Sequence, residues 1–180
     1  KDYDPLKRPY VIKPISEGSS LGINLITSKV EINDNLLSSY VDDEVLVEDF
    51  IPGRELTVAI KESVPLGMLE IITKNNFYDY DTKYTNGIAS YVKPKDIPDP
   101  ITRYILKTSS KAHKALNCRG ITRVDIRFNQ KKGKKGVCLL EINTQPGLTE
   151  SSLVPIIASQ AGLGFNEMIK WILEDANKIK

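Results

Sequence analysis

Apolar and polar residues alternate through much of the first half of the chain, the period-two signature of strands with one buried face. Arg8–Lys13 reads as a short strand ended by Pro14, and Ile23–Ile26 as its returning partner. Glu44–Phe50, Arg54–Lys61 and Val64–Thr73 read as three more, expected to form an antiparallel meander. Within Arg54–Lys61, Leu56, Val58 and Ile60 fall on one face and Glu55 and Thr57 on the other. A helical period replaces this alternation in Lys29–Tyr40, where Ile32, Leu36, Leu37 and Tyr40 share a face. Ser90–Val92 is a candidate short strand. A longer helix is then predicted, capped by Asp99 with Pro100 in its first turn and ended by Gly120. Its expected buried stripe is Ile101, Tyr104, Ile105, Thr108, Ala112, Ala115 and Leu116, with Lys107, Lys111 and Lys114 solvated. Pro155–Ala161 is predicted as a short helix. A last helix starts at Asn166, with Phe165, Met168, Ile169, Ile172, Leu173 and Ala176 facing inward and Trp171 packing.

Two strands near the middle carry the densest chemistry. In G-I-T-R-V-D-I-R-F, Arg123, Asp125 and Arg127 share a face opposite Val124, Ile126 and Phe128. In V-C-L-L-E-I-N, strict alternation puts Glu141 and Asn143 on a face with Val137 and Leu139, opposite Cys138, Leu140 and Ile142. The polar, glycine-bearing segment Asn129–Gly136 reads as a hairpin loop. Pairing symmetric about Gly133 sets Asp125 opposite Glu141 and Arg123 opposite Asn143. Directly opposed side chains have Cβ atoms about 4.5–5.5 Å apart, where like charges destabilise the sheet. Two carboxylates and an amide oxygen so placed ask for a cation, and hard oxygen ligands suit Mg²⁺ held together with substrate phosphates. The competing reading is a solvated polar face in which Asp125 and Glu141 pair with Arg123 and Arg127.

Length and composition narrow the field. With 180 residues, 41% hydrophobic, 27% charged and a net charge of +2, the chain has the make-up of a globular protein. Its length suffices for one domain or two small lobes. The single basic cluster, K-K-G-K-K at Lys131–Lys135, reads as a solvated loop, so nothing points to nucleic acid. No apolar run approaches the ~18 residues of a spanning helix, so no membrane partner is expected. Cys118 and Cys138 lack metal or redox spacing, and a reduced cytosolic setting is the expectation. One histidine, His113, is too few for a histidine metal cluster and sits among lysines. The stretch Asn75–Gly87 has no regular period but holds three tyrosines, two aspartates and a lysine, the character of a functional lid. The chain opens on Lys1 and enters a strand almost at once, which suggests a piece of a longer protein.

Six segments in order, V-I-K-P-I-S-E-G-S-S-L-G, V-L-V-E-D-F-I-P-G-R-E-L-T-V-A, F-Y-D-Y-D-T-K-Y, G-I-T-R-V-D-I-R-F, L-L-E-I-N-T-Q-P-G-L-T and S-L-V-P, resemble the D-alanine–D-alanine ligase family of the ATP-grasp superfamily. The resemblance runs from Tyr10 to about Lys178. One departure is Gln145, where the family's motif usually has Ser or a similar residue. The resemblance implies an α/β (α+β) ATP-grasp fold, antiparallel sheets with flanking helices. Residues 1–50 would be the remainder of the small central lobe, and 51–180 the C-terminal lobe with an omega loop at 75–87. The family's N-terminal domain, and a glutamate there that binds the first D-alanine, would lie outside these 180 residues.

The same resemblance implies ATP-dependent joining of two D-alanines through an acyl phosphate, for peptidoglycan precursor synthesis in the cytoplasm. Lys13 would contact ATP phosphates, with Ser19 and Ser20 in the loop over them. Glu48 and the Asp49, Phe50 and Ile51 backbone would meet adenine, and Glu55 the ribose. Lys83 would approach the γ-phosphate from the omega loop, where Tyr84 would share a network with Ser19. Asp125, Glu141 and Asn143 would bind two Mg²⁺ ions, with Glu141 bridging and Mn²⁺ able to substitute. Arg123 and the Gly147 backbone would stabilise a tetrahedral oxyanion, and Ser152 and Leu153 would form the pocket for the second D-alanine. Partners would be ATP and D-alanine, with the full-length protein a homodimer. Two alternatives stay open. One is another carboxylate–amine ligase or a D-alanine–D-lactate ligase, against which Tyr84 speaks because lactate users typically carry histidine there. The other is a non-catalytic nucleotide-binding fragment.

Overall fold

A computed structural model describes residues 4–17, 20–30, 32, 33, 36, 38, 40, 44–73 and 89–178. The chain divides into two compact units, Lys1–Ile51 with Thr73–Ala89, and Pro52–Ile72 with Ser90–Lys180.

The first unit holds a three-stranded antiparallel sheet. Strand β1 (Tyr10–Pro14) lies between β2 (Asn24–Ile26) and β3 (Val45–Asp49). Alternation along β1 and β3 turns Tyr10, Ile12, Val45 and Val47 to one side, where they close with Ile26 over a small core. The Tyr10 hydroxyl donates to Asp4 at 2.7 Å, and burial together with that carboxylate pushes the phenol up to about 12. The helix expected over Lys29–Tyr40 is shorter: Lys29, Val30, Ile32, Asn33 and Tyr40 are not helical, and Leu36 and Ser38 are. The Asn33 side chain accepts from the Leu36 amide at 3.0 Å as a helix start does, and 31, 34, 35, 37 and 39 lie outside the described residues.

The second unit is a five-stranded sheet. Its strands are β4 (Arg54–Lys61), β5 (Val64–Thr73), β6 (Ala89–Val92), β7 (Ile121–Phe128) and β8 (Val137–Asn143), in the order β6-β5-β4-β7-β8. The meander expected from β3 through β5 therefore does not form. Both edges of β4 are taken, by β5 and β7, so β3 has no edge to join and pairs with β1 instead. Gly53 makes the break between β3 and β4. Its φ is +129°, and a Cβ there would lie 2.3 Å from the Phe128 carbonyl oxygen, so only glycine fits.

One face of this sheet is the main core: Leu56, Val58 and Ile60 of β4, Val124, Ile126 and Phe128 of β7, and Met68 of β5, with Ile97 and Ile105. Helix α1 (Asp99–Ala115) supplies Ile105 to that core. Pro98, not Asp99, is the cap residue; Asp99 is already helical and makes no capping bond. The buried stripe also differs from expectation. Ile105, Ser109 and His113 are buried, whereas Leu116 is 66% exposed. His113 can go inside because Thr122 of β7 meets its Nδ1 at 2.8 Å. On the opposite face Gly67 pairs with Ala59 and leaves room for Ile157 of α2 (Leu153–Gln160). The last helix, α3 (Phe165–Ala176), buries Met168 and Asp175, while Leu173 is exposed. Gln130–Gly136 forms 3₁₀ turns, started by the Asn129 side chain accepting from the Lys131 amide.

Candidate functional site

Strands β4, β7 and β8 present their polar residues in rows. Thr57, Asp125 and Glu141 stand opposite one another, Ala59, Arg123 and Asn143 form the next row, and Glu55 faces Arg127. The register that brings Asp125 opposite Glu141 is the expected one, but the face pattern of β8 is not. A bulge falls between the Asp125 and Ile126 pairings, where Leu140 is the extra residue on β8. It turns Val137 and Leu139 onto the core with Phe128 and Ile126, while Glu141 and Asn143 still share the face of Asp125 and Arg123. Strict alternation would have put either the carboxylate in the core or two large apolar residues in water; one inserted residue resolves the conflict.

Asp125 is tightly held. Arg123 donates to it in a fork, Nε to Oδ1 at 2.9 Å and Nη2 to Oδ2 at 2.7 Å, and the Thr57 hydroxyl donates to Oδ1 at 2.7 Å. The Arg123 and Asp125 side chains are each 14% exposed. Arg127 pairs with Glu55 at 3.0 Å and not with Glu141, so the paired-face reading holds for Asp125 only. The Glu141 side chain is exposed, with no ion pair or hydrogen bond among the described residues. Asn143 accepts from the Gln145 amide at 2.9 Å, which starts the loop after β8. Arg123 and Arg127 each pair with a carboxylate of these rows, Asp125 and Glu55, and Glu141 is the carboxylate there without an ion pair among the described residues. With oxygen donors from Asp125, Glu141 and Asn143, the row fits a hard divalent cation. It is an Asp–Glu–Asn set; among the described residues, no three His, Cys, Asp or Glu side chains are grouped to hold a metal.

Beyond β8, Gly147 is exposed and sits against Ser152: a Cβ there would lie 2.9 Å from Ser152 Oγ. Ser152 caps α2 by position, but its Oγ bonds Thr149, at 3.2 Å from the amide and 2.8 Å from the hydroxyl. Leu153 is buried at the first turn of that helix. In the first unit, Lys13 on β1 forms an ion pair with Glu48 on β3. Ser20 takes a left-handed φ of 62°, Asp49 is exposed, and the Phe50 amide donates to the Pro9 carbonyl at 3.3 Å. Phe50 and Ile51 are half-buried. Ser19, Lys83 and Tyr84 lie outside the described residues, as does the 75–87 loop. Sequence reading placed Thr57 on the face of Glu55 but gave it no role; the period-two spacing from Glu55 was the available signal. It also missed Arg54, which binds Glu70 at 2.7 Å and Asp96 at 2.8 Å and holds the Asp96 carboxyl below its ordinary range.

A separate cavity of about 500 Å³ in the same unit is lined by Ile121, Pro146, Leu148, Trp171 and Ile172 among others, and none of the expected site residues borders it. Among the described residues, no helix is long and apolar enough to cross a membrane.

The family model for the D-ala D-ala ligase C-terminus matches residues 3–174. A D-alanine–D-alanine ligase of Chelativorans sp. is 43% identical over 181 residues, covering 98% of this chain and 59% of that protein. One from Bartonella bacilliformis is 44% identical over 96% of this chain and 58% of its own length. Among solved structures, the Bacillus anthracis D-alanine–D-alanine ligase complexed with ATP superposes with a TM-score of 0.72 at 26% identity, over 93% of this chain and 52% of that one. The VanG D-Ala:D-Ser ligase of Enterococcus faecalis gives 0.73 at 30% identity, over 94% and 50%. The chain therefore spans between half and three-fifths of the length of these relatives.

Proposed function

The chain belongs to the D-alanine–D-alanine ligase C-terminal family, and we propose that it supplies the nucleotide- and metal-handling part of a cytoplasmic, homodimeric enzyme joining two D-alanines for peptidoglycan. The observation that carries the reading is the row Thr57–Asp125–Glu141 with Arg123 and Asn143 beside it. Asp125 held by Arg123 and Thr57, with an exposed Glu141 opposite it and Asn143 in the next row, supports a site for a hard cation over a purely structural polar face.

In the reaction, the carboxylate of one D-alanine attacks the γ-phosphorus of ATP; the new P–O bond forms as the bond to the β-phosphate oxygen breaks and ADP departs. The amine of a second D-alanine then attacks the acyl carbon, a C–N bond forms, and phosphate leaves with loss of the amine proton. Catalysis of phosphoryl transfer is mostly positioning and charge neutralisation. Lys13 and Lys83 supply positive charge to phosphates, with Ser19 and Ser20 in the covering loop. Glu48, the backbone of Asp49, Phe50 and Ile51, and Glu55 hold the nucleoside. Asp125, Glu141 and Asn143 would hold two magnesium ions, which when bound neutralise phosphate charge. Arg123 and the Gly147 backbone face the developing oxyanion, Tyr84 closes the site from its loop, and Ser152 and Leu153 orient the second D-alanine. Residues 1–50 form the remainder of one ATP-grasp lobe and 51–180 the other.

The test is phosphate release by the full-length protein with Mg-ATP. The expected outcome is ATP hydrolysis dependent on D-alanine, with D-alanyl-D-alanine accumulating in step. Hydrolysis indifferent to D-alanine would overturn the reading. The likeness to a D-Ala:D-Ser ligase makes acceptor choice a second question. Competition among D-alanine, D-serine and D-lactate is expected to favour D-alanine.

A further inference from the structure

We infer that Thr57 is a positioning residue that fixes which oxygen of Asp125 is offered to a divalent cation. The inference rests on the metal reading of Asp125, Glu141 and Asn143. Thr57 is completely buried and stands directly opposite Asp125 across the β4–β7 pair, as Glu141 does across β7–β8. A carboxylate only accepts, so the Thr57 hydroxyl must donate, and it does so to Oδ1 at 2.7 Å. Arg123 Nε also donates to Oδ1, at 2.9 Å. Each carboxylate oxygen has about two lone-pair sites, so these two donors fill Oδ1. Oδ2 takes Arg123 Nη2 at 2.7 Å and the longer limb of the shared Nε–H at 3.2 Å, so it is the less firmly engaged of the two oxygens. Asp125 therefore offers Oδ2 to a cation more readily than Oδ1.

Arg123 by itself does not fix this. The guanidinium fork holds both oxygens in its own plane but can shift with the Arg123 side chain, and the Thr57 donor from the neighbouring strand ties Oδ1 to the β4 backbone as well. Thr57 suits the task because a β-branched side chain has few χ1 choices and the β4 backbone is locked on both edges. A merely satisfied buried hydroxyl would need any acceptor, with no consequence for metal.

The test uses the full-length protein with Mn²⁺ and ADP, followed by electron paramagnetic resonance of free and bound Mn²⁺. Thr57→Val keeps the volume and removes the donor; it is expected to weaken Mn²⁺ binding about tenfold or more, the scale of losing a hydrogen bond behind a ligand. Activity should fall at low magnesium and recover at saturating magnesium. Thr57→Ser is expected to restore Mn²⁺ affinity, and Thr57→Ala, a second removal variant, to follow valine. Unchanged Mn²⁺ affinity in folded Thr57→Val and Thr57→Ala, or a serine variant as weak as valine, would overturn the inference. Glu141→Gln run alongside separates the levels. If it weakens Mn²⁺ binding and Thr57→Val does not, the role of Thr57 falls and the metal reading stands. If neither variant changes binding, both fall.

Discussion

The two sheets hold their expected ligand-handling residues in different ways. In the five-stranded sheet, Asp125 has three donor contacts from Arg123 and one from Thr57, and Arg127 with Glu55 makes a second ion pair between side chains only 9% and 17% exposed. Groups so enclosed cost free energy to rearrange, because breaking a buried pair strands a charge. In the three-stranded sheet, Lys13 pairs with Glu48 through half-buried side chains, the glutamate the more open of the two at 36% exposed, and Ser20 and Asp49 lie beside loops. Water reaches the Glu48 carboxylate, so this pair is screened more than the enclosed ones and gives way to a ligand more easily. If the proposed roles hold, Asp125 and Glu55 would be oriented before ligand binding, whereas Lys13, Glu48 and the exposed Glu141 would adjust on it. In the proposed reaction, lost positioning would matter most where bonds change, the end assigned to the five-stranded sheet.

The largest effect expected from this contrast is functional. Glu141→Gln should lower turnover about a thousandfold or more, since several kcal/mol of charge stabilisation rest on a metal ligand. Its melting temperature should stay within about 2 °C, because exposed side chains without partners contribute little to stability. A variant with near-normal turnover would sever the rigid sheet from the chemistry. Glu48→Gln, by contrast, should act mainly on the KM for ATP.

Next in size are the cores. Leu56→Ala removes a fully buried side chain from the large core and is expected to cost about 2–5 kcal/mol of global stability. Ile26→Ala removes comparable volume from the small core around Tyr10 and Ile12. There the expected reading is local: amides of β1 and β3 should exchange faster while those of β4 and β7 keep their protection. Uniform loss of protection in both variants would show one cooperative unit and erase the contrast.

How far these features were legible in the sequence depends on the range of the interactions that fix them. The Asp125–Glu141 pairing was legible because the two strands are joined by a short segment and both alternate near the acids. The bulge at Leu140 was not, since it is set by competition between a core that takes Leu139 and a polar row that takes Glu141. The placement of β3 was missed for a related reason: its own pattern is a good strand, and only the occupied edges of β4 decide its partner. The stripe of α1 was misjudged at His113 because hydropathy ranks histidine below leucine. The Thr122 hydroxyl that makes its burial tolerable lies nine residues away on another element. Thr57 was placed on the right face, but its partner is 68 residues distant. The roles proposed for Ser19, Lys83 and Tyr84 rest on the family resemblance of their motifs, since these residues lie outside the described ones.

The smallest expected effect tests how dry the larger core is at that histidine. His113 is 1% exposed; Thr122 occupies its Nδ1, and its Nε2 has no hydrogen-bond partner. A neutral imidazole tolerates one bare nitrogen, but an imidazolium carries two donors that both need acceptors. Burial accordingly pushes its pKa below the ordinary 6.5, helped by the nearby Lys114 charge and opposed by a backbone hydrogen bond at Cys118. Between the lowered folded value and the ordinary unfolded one, the unfolded chain holds more protons, so stability rises with pH. The penalty is absent above about pH 7 and grows as pH falls below about 6.5, with a slope of at most about 1.4 kcal/mol per pH unit for one proton. Glu62, Arg119 and Asp175 border the small cleft that His113 also lines, and comparison with a variant lacking the imidazole isolates the histidine's share of any change. Thermal melts of wild type and His113→Asn from pH 7.5 to 5 should diverge below about pH 6.5, the wild type losing stability faster. Parallel curves would mean that the imidazole finds an acceptor when protonated, and that the helix-covered face of this sheet is less closed than the three-stranded sheet's small core.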